Sequence, residues 1–207
     1  MSKNVLKLFW VSLVLLTAAC AARRIEAPTL EGVDFREALA ARSSISAIET
    51  KFAIAFERND TELRGDGALN ISSAGDMSLR VYSLGFLAME LTSKEGAVKS
   101  NPRLDRTRTL ILTKGLRDCL FWWDIKDFTV QEDAEYYLLR NSLRELWLDR
   151  KTLLPKRQKI YFDDGKELLI HYEEPAVENG VWYQSKIRIE LLHYSVTLTV
   201  RNMSFKT

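Results

Sequence analysis

Residues 143–172 read LRELWLDRKTLLPKRQKIYFDDGKELLIHY, and this stretch decides the fold. Two short runs that contain apolar residues, Glu145 to Asp149 and Arg157 to Phe162, flank a polar connection that ends at Pro155. Proline has no N–H to donate to a ladder and is confined to the ends or edges of strands. The pattern therefore predicts a strand, a loop and a second strand.

A hairpin signal follows directly. Asp164-Gly165 stands between apolar residues, and Asp-Gly is among the strongest short-range signals for a tight turn between strands. Leu168, Ile170 and Tyr172 then recur with the period of two that places them on one face of a third strand. Three consecutive antiparallel strands with one apolar face require something to cover that face.

Length and composition are those of one soluble domain with a substantial core. The chain has 207 residues, of which 46% are hydrophobic and 28% charged. Its formal net charge of +2 falls to zero without Lys3 and Lys7. A nucleic-acid partner would call for a concentrated basic face, which this balance does not supply.

The N-terminus has the pattern of an export signal. Lys3 and Lys7 precede an apolar run from Leu8 to Leu16, which is shorter than the roughly 20 residues of a membrane span. Residues 16–20, Leu-Thr-Ala-Ala-Cys, are similar to a bacterial lipobox, which implies lipidation of Cys20. We therefore expect a cleaved lipoprotein signal over residues 1–19, a lipidated tether over 20–33 and one domain over 34–207.

The rest of the chain predicts mainly strands. Asp34 is placed to cap a short helix from Phe35 to Ser44. Gly65 and Gly67 lie within one predicted strand and indicate a bend or bulge that curls the sheet. Alternating patterns and turn residues predict strands over residues 45–56, 63–71, 77–82, 136–140, 182–191 and 194–200, with a turn at Asn59-Asp60 and another at Asn179-Gly180. Residues 124–135 are predicted to be a polar connection.

One longer helix is predicted over residues 104–123. Leu112, Leu116, Leu120 and Trp123 recur at helical spacing and form an apolar stripe. Its basic residues, Arg103, Arg106, Arg108, Lys114 and Arg117, are expected to face water. Such a helix suits the apolar face of an open sheet.

The predicted hairpin tip at residues 84–87 is unusual, because it reads Leu84-Gly85-Phe86-Leu87. Loop tips are normally polar, and each large apolar side chain left in water forgoes about 1.5 to 3 kcal/mol of burial. Two interpretations follow. Phe86 and Leu87 fold back into the core, or the tip contacts a membrane or acyl chains.

With the strands placed, the pattern resembles the lipoprotein-localisation (LolA/LolB) family, and its LolB-like members most. The resemblance is carried by residues 46–56, by 79–85 leading into a Leu-Gly loop, by Met89-Glu90-Leu91, and by 187–189 and 196–200 at the end of the chain. Ser83 stands where the family has proline, and residues 104–123 do not align by motif. In the family, a leucine in this loop delivers cargo to the membrane, and Leu84 matches it.

The resemblance implies an α+β fold: a strongly curved, incompletely closed antiparallel sheet, a half-barrel, with helices covering its concave apolar face. It further implies a membrane-contacting loop at residues 84–87 and an acylated lipoprotein or lipid cargo. We also expect a LolA-like periplasmic carrier as a partner and a monomeric state. The Cys20 lipid would attach the protein to the periplasmic face of the outer membrane of a Gram-negative bacterium. Each candidate for the groove lining is either plain core or lining; the candidates are Phe52, Ile54, Phe56, Leu79, Val81, Met89, Leu91, Leu116, Leu120 and Trp123.

Catalytic signals are weak. The chain has no HExxH, GxSxG, P-loop or dinucleotide motif, and no His/Cys/Asp cluster has metal-ligand spacing. Cys119 could pair with His171 as a nucleophile, but it falls on the apolar stripe, where a buried inert thiol is favoured. We therefore expect no enzyme, cofactor or metal. The rival hypotheses are an assembly lipoprotein that holds a protein partner and a hydrolase that uses Cys119.

Overall fold

The computed structural model describes residues 26–30, 32–58 and 61–207. The predicted signal, Cys20 and the turn at Asn59-Asp60 lie outside the described residues. The strands are β1 (Ala47–Arg58), β2 (Thr61–Ser72), β3 (Met77–Ser83), β4 (Phe86–Lys94), β5 (Ala97–Asn101), β6 (Thr129–Glu132), β7 (Tyr136–Arg140), β8 (Arg144–Asp149), β9 (Pro155–Tyr161), β10 (Glu167–Glu178), β11 (Val181–Leu191) and β12 (Tyr194–Lys206). The helical elements are α1 (Phe35–Arg42), α2 (Arg106–Leu110), a π-helical turn (Ile111–Gly115) and α3 (Leu116–Leu120).

Over the described residues, the twelve strands form a single antiparallel sheet in the order β5, β4, β3, β2, β1, β12, β11, β10, β9, β8, β7, β6. Strands that follow one another in sequence pair as hairpins, except β5 and β6, which lie at opposite edges of the sheet. The long-range pairing of β1 with β12 joins the two halves. β5 and β6 are the free edges, so the sheet is not closed into a barrel. The predicted fold class, a curved and incompletely closed antiparallel sheet with few helices, is confirmed.

The meander over residues 143–172 is confirmed as β8, β9 and the start of β10. Pro155 is the first residue of β9, a position that requires no donor from proline. The turn after β9 is closed by the Phe162 amide, which donates to the carbonyl of Lys166 at 2.9 Å, and Gly165 takes φ 77°. The sequence rule for Asp-Gly turns therefore holds here.

The two glycines of β2 keep a regular register, and their function is to make room. The Phe52 ring lies over Gly67, its direct cross-strand partner, and fills the space where a side chain would be. Gly65 lets the backbone at Tyr82 approach closely. The bulges that we expected in this region lie in neighbouring strands, at Lys51/Phe52 against β12 and at Val81/Tyr82 against β4.

The helix over residues 106–120 must cross the sheet, because it joins the two edge strands β5 and β6. The prediction of a continuous helix over 104–123 is correct in place but too long, and a π-helical turn divides the helix. Asp105 caps its start by accepting from the Arg108 amide at 2.8 Å. Thr109 and Thr113 donate to carbonyls four residues earlier, a local bond that competes with regular helix geometry.

Several predicted boundaries needed correction. Residues 124–135 contain the edge strand β6, which the polar sequence concealed. β4 begins at Phe86, within the predicted hairpin tip. The first helix ends at Arg42, and its cap is confirmed by the Arg36 amide, which donates to Asp34 at 2.8 Å. In the part of the chain that the structure covers, no helix has the length and apolarity to span a bilayer.

Candidate functional site

The predicted groove lining lies at the interface between the helix and the concave face of the sheet. The strand residues are Phe52, Ile54, Phe56, Leu79, Val81, Met89 and Leu91, and the helix residues are Leu116, Leu120 and Trp123. All ten belong to one apolar cluster, in which Phe56, Val81 and Met89 are partly buried and the others are buried. The structure therefore brings the predicted residues together and packs them against the chain's own side chains.

Gly115 sets how closely the helix approaches the sheet. A Cβ at this position would stand 3.2 Å from Ile189 Cγ2 and 3.3 Å from Leu168 Cδ1, which is tighter than ordinary van der Waals contact. The glycine that weakens the helix by propensity is thus explained by packing against β10 and β11.

The predicted groove is occupied by buried side chains that pack against one another. A cavity of about 10 Å³ remains where the end of α3 meets β10, β11 and β12, between Trp122, Trp123 and Tyr183. This volume holds about one water molecule, and an acyl chain cannot enter it without displacement of the helix.

A polar clamp fixes the C-terminal end of the helix to the sheet. We use this name for Asp118, Arg144, Gln158 and Tyr172. Arg144 is buried; it donates through Nη2 to the Asp118 carbonyl at 3.0 Å, and its guanidinium lies 3.6 Å from the Asp118 carboxylate. The Gln158 carboxamide oxygen accepts from Arg144 Nε and Nη2 at 3.0 Å, and its nitrogen donates to the Tyr172 hydroxyl at 3.1 Å. That hydroxyl donates to the carbonyl of Cys119 at 3.3 Å.

The charge on Asp118 is maintained by its neighbours. Burial alone would raise the pKa of Asp118, but attraction from Arg144, Lys114 and Arg117 outweighs it, so the pKa lies below its ordinary value. Burial raises the pKa of Tyr172 well above its ordinary value and keeps the phenol protonated. Sequence reasoning missed this clamp, because Asp118 looked like one more polar residue on the exposed side of the helix.

The N-terminal end of the helix is held more weakly. The Tyr194 hydroxyl donates to Asp105 at 3.2 Å, and the Arg108 guanidinium lies over the rings of Phe56 and Tyr194 at 5.3 and 5.6 Å. Arg106 is 80% exposed in its side chain and reaches Asp164 only at 3.8 Å. Exposed ion pairs of this kind contribute little stability. The helix therefore has a fixed end and a looser end, with the π-helical turn between them.

The hairpin tip between β3 and β4 extends into solvent. Leu84 is 95% exposed, Phe86 78% and Leu87 53%, so the interpretation that Phe86 and Leu87 fold back into the core is wrong. Leu84 and Gly85 both take positive φ, 51° and 84°. Phe86 and Leu87 belong to β4, and the bulge beside Tyr82 separates them from the buried part of that strand.

The Cys119–His171 pair considered from the sequence does not form. Cys119 is buried on the concave side, where its thiol donates to the Leu116 carbonyl at 3.2 Å and burial raises its pKa. His171 lies between Ile170 and Tyr172, both buried on the concave side, so strand alternation points it to the other face. Within the described residues, no group of three His, Cys, Asp or Glu side chains could hold a metal ion.

The outer face of the sheet carries a polar groove of about 650 Å³. Trp147 faces outward because its neighbours Leu146 and Leu148 are buried, and the Arg157 guanidinium lies 3.9 Å from the centre of its ring. The groove is lined by Ala134, Glu135, Tyr136, Trp147, Asp149, Arg150, Lys151, Lys156 and Arg157. Aromatic and arginine side chains are common in protein interfaces.

No protein-family model and no curated protein matches the sequence. Solved structures match it by fold. A LolA superfamily protein from Nitrosomonas europaea superposes with a TM-score of 0.55 at 14% identity, over 85% of this chain and 95% of its own. A DUF1329 family protein from Desulfovibrio piger superposes with a TM-score of 0.58 at 13% identity, over 88% of this chain and 95% of its own. A domain from Vibrio parahaemolyticus described as an outer membrane lipoprotein-sorting protein superposes with a TM-score of 0.51 at 12% identity, over 84% of this chain and 91% of its own.

These likenesses define the class of fold. The chain has the unclosed, helix-covered antiparallel sheet that the LolA superfamily protein shares. At 12–14% identity the likeness shows the fold alone. What this chain does must therefore be argued from its own site.

Proposed function

We propose that this protein is a non-enzymatic, lipid-anchored carrier or receptor that binds acyl chains of lipoproteins, or free lipid, and delivers them to the outer membrane. The observation that carries the proposal is the exposed Leu84 tip on an unclosed sheet whose apolar concave face is covered by helices, α1 and the divided helix over residues 106–120. The proposal includes a LolB-like role, that of an outer-membrane receptor for lipoproteins.

Binding requires the helix to move. Release of the loosely held end, residues 106–110, would uncover Phe56, whose ring the Arg108 guanidinium covers. Val81 and Met89 belong to the same cluster and are likewise only partly buried. Each methylene taken from water contributes about 0.8 kcal/mol, so a chain of about 16 carbons gains on the order of 10 kcal/mol. That gain is large enough to offset the loss of helix contacts. A flexible methionine such as Met89 suits a lining that must adapt to different chains.

The proposed location follows from Cys20. Its lipidation would hold the monomeric protein at the periplasmic face of the outer membrane, where a LolA-like carrier could pass cargo to it. Labelled palmitate should enter the wild-type protein and not the Cys20→Ala variant. Equal labelling of the two would rule out this anchor.

Native mass spectrometry of the Cys20→Ala protein tests the cargo. We expect bound species with the masses of acylated molecules, retained in the Leu84→Glu variant, whereas delivery of that cargo to acceptor vesicles is abolished. Leu143→Glu is a control, since Leu143 is also exposed but lies in the turn between β7 and β8. Wild-type protein without any acyl cargo would remove the basis of the proposal.

A second candidate function is an assembly lipoprotein that binds a protein partner. It is favoured by the filled interior and by the outer groove around Trp147 and Arg157. Crosslinking from a photoreactive residue at Arg157 in living cells distinguishes the two. A single specific protein adduct, together with lipid-free purified protein, would support the assembly role.

A further inference from the structure

Leucine occupies left-handed backbone positions at three places in the described residues. Leu84, Leu153 and Leu192 have φ values of 51°, 54° and 57°. This region is disfavoured for a leucine, because its Cβ approaches the following carbonyl. Leu153 is only 4% exposed, and burial in the core accounts for its presence. Leu84 at 95% and Leu192 at 60% exposure have no such explanation within the chain.

Turns at the other end of the strands show that this backbone does not need leucine. Asn179-Gly180 joins β10 to β11 with φ values of 49° and 80°, and Glu95-Gly96 joins β4 to β5 with 50° and 81°. The Leu84-Gly85 turn has nearly the same values, 51° and 84°. Polar residues therefore suffice for this geometry. The leucines are disfavoured both by the backbone and by their exposure to water.

The two exposed leucines lie at the same end of the sheet. β3 and β11 run in the same direction, because three antiparallel strands, β2, β1 and β12, separate them. Four strand spacings place the two turns about 19 Å apart along the sheet, and less across its curve. Leu63 on β2 is also exposed at this end. We call Leu63, Leu84, Phe86, Leu87 and Leu192 the leucine rim.

The shape of the leucine rim fits a lipid surface better than a protein. Its side chains are divided between two separate hairpins and the start of β2, whereas a specific protein interface requires a continuous area of roughly 1,000 Å². Arg58 at the end of β1 and Arg106 at the start of the covering helix lie beside it and are exposed. Asp164 nearby is paired with Lys166 and Arg106. Such mixed charges around isolated apolar tips are compatible with a headgroup layer.

We propose that Leu192 is a second membrane-insertion point, so that the leucine rim docks on a phospholipid surface through two hairpins, β3–β4 and β11–β12. Two points fix an orientation that one hairpin cannot. The loose end of the covering helix, which contacts Tyr194 two residues after Leu192, then faces the bilayer. The inference rests on the proposed function for the Leu84 tip, but its test needs no cargo.

The test is co-sedimentation of the Cys20→Ala protein with vesicles of phosphatidylethanolamine and phosphatidylglycerol. Leu192→Asn and Leu84→Asn should each weaken binding roughly tenfold, and together roughly a hundredfold, because each removes one inserted side chain. Salt between 0.1 and 0.5 M should change binding less than about threefold, since insertion and not charge dominates. A steep loss with salt would contradict insertion.

Leu143→Asn is the matched control, and it should bind like the parent protein. Leu143 is 57% exposed, close to the value for Leu192, and its turn lies at the same end of the strands, four strand spacings from Leu192 on the side away from Leu84. The twist of the sheet carries the Leu143 turn away from the leucine rim. Two adjacent helix residues show this twist: Arg117 donates to the Ser73 carbonyl, at the end of β2 opposite to the rim, whereas Asp118 contacts Arg144 at the start of β8, next to Leu143. An equal effect of Leu143→Asn and Leu192→Asn would show non-specific stickiness and overturn the proposal.

Folding controls keep the result interpretable. Asparagine is tolerated at positive φ, so the thermal midpoint of Leu192→Asn should be unchanged or higher, and weaker binding cannot then be attributed to unfolding. Parental vesicle binding by Leu192→Asn would overturn the inference, as would a protein dimer that this change dissolves. Lipid-free protein that still binds vesicles through Leu192 would instead refute only the acyl-carrier function.

Discussion

The two ends of the covering helix differ in how the sequence attaches them to the same sheet. The C-terminal end, residues 116–120, is buried and joined to three strands through Arg144, Gln158 and Tyr172. The N-terminal end, residues 106–110, has no buried residue. It is held by the hydrogen bond from Tyr194 to its cap Asp105, by the ring contacts of Arg108, by an exposed ion pair from Arg106 and by the partly buried Leu110. In the proposed carrier, the helix would open at its N-terminal end and stay attached at its C-terminal end, because the interactions at the C-terminal end cost more to break.

The largest expected effect is the loss of the clamp. Arg144→Met leaves the buried Asp118 carboxylate without its main partner, and we expect a loss of about 3–5 kcal/mol in the free energy of unfolding. Urea denaturation measures it. Arg201→Met is the control, because Arg201 pairs with Asp66 at 2.8 Å and both side chains are more than half exposed, so its loss should stay below about 1 kcal/mol. Equal effects would mean that the fixed end is not fixed by charge.

The clamp should also make stability dependent on acid pH. The folded-state pKa of Asp118 lies below the ordinary value, so its contribution is complete above about pH 4 and is lost as pH falls through the folded pKa. Urea unfolding from pH 5 to pH 2.5 should show a steeper decline for the parent than for Asp118→Asn. Some decline remains in the variant, because Asp149 and Asp105 also have lowered pKa values. Parallel curves would contradict the assignment.

A smaller effect is expected at the point between the two ends. Gly115→Ala gains helix propensity but presses a methyl group against Ile189 and Leu168, and we expect a net loss of about 1–2 kcal/mol. Thermal unfolding measures it, with Thr107→Ala on the loose end as a control of small effect. A stabilised Gly115→Ala protein would show that the sheet yields at this contact.

The smallest change concerns the loose end itself. Tyr194→Phe removes the hydrogen bond to Asp105, which contributes about 0.5–1 kcal/mol. Hydrogen exchange should show amides of residues 106–110 exchanging faster than those of 116–120 in the parent, and faster still in this variant. Faster exchange at both ends together would mean that the helix opens as one unit and that its two ends do not differ in stability.

The sequence by itself determined most of the local structure. Alternation with a period of two placed the strands, Asp-Gly and Asn-Gly marked their turns, and the stripe from Leu112 to Trp123 placed the covering helix. These signals are local, since each depends on residues a few positions apart. The short polar strand β6 escaped because it is an edge strand, whose side chains bury little and leave no apolar pattern.

Only the tertiary structure decided the rest. Asp118 and Arg144 are 26 positions apart and are charged, so no local pattern placed them together in the core; they are buried because the helix ends against β8, β9 and β10. Phe86 and Leu87 are apolar, so local pattern allowed them in the core; they are exposed, and a bulge separates them from the buried part of β4. Whether a charged residue is buried or a leucine is exposed depends on which distant strands come together in the fold. The local sequence pattern contains no information about those contacts.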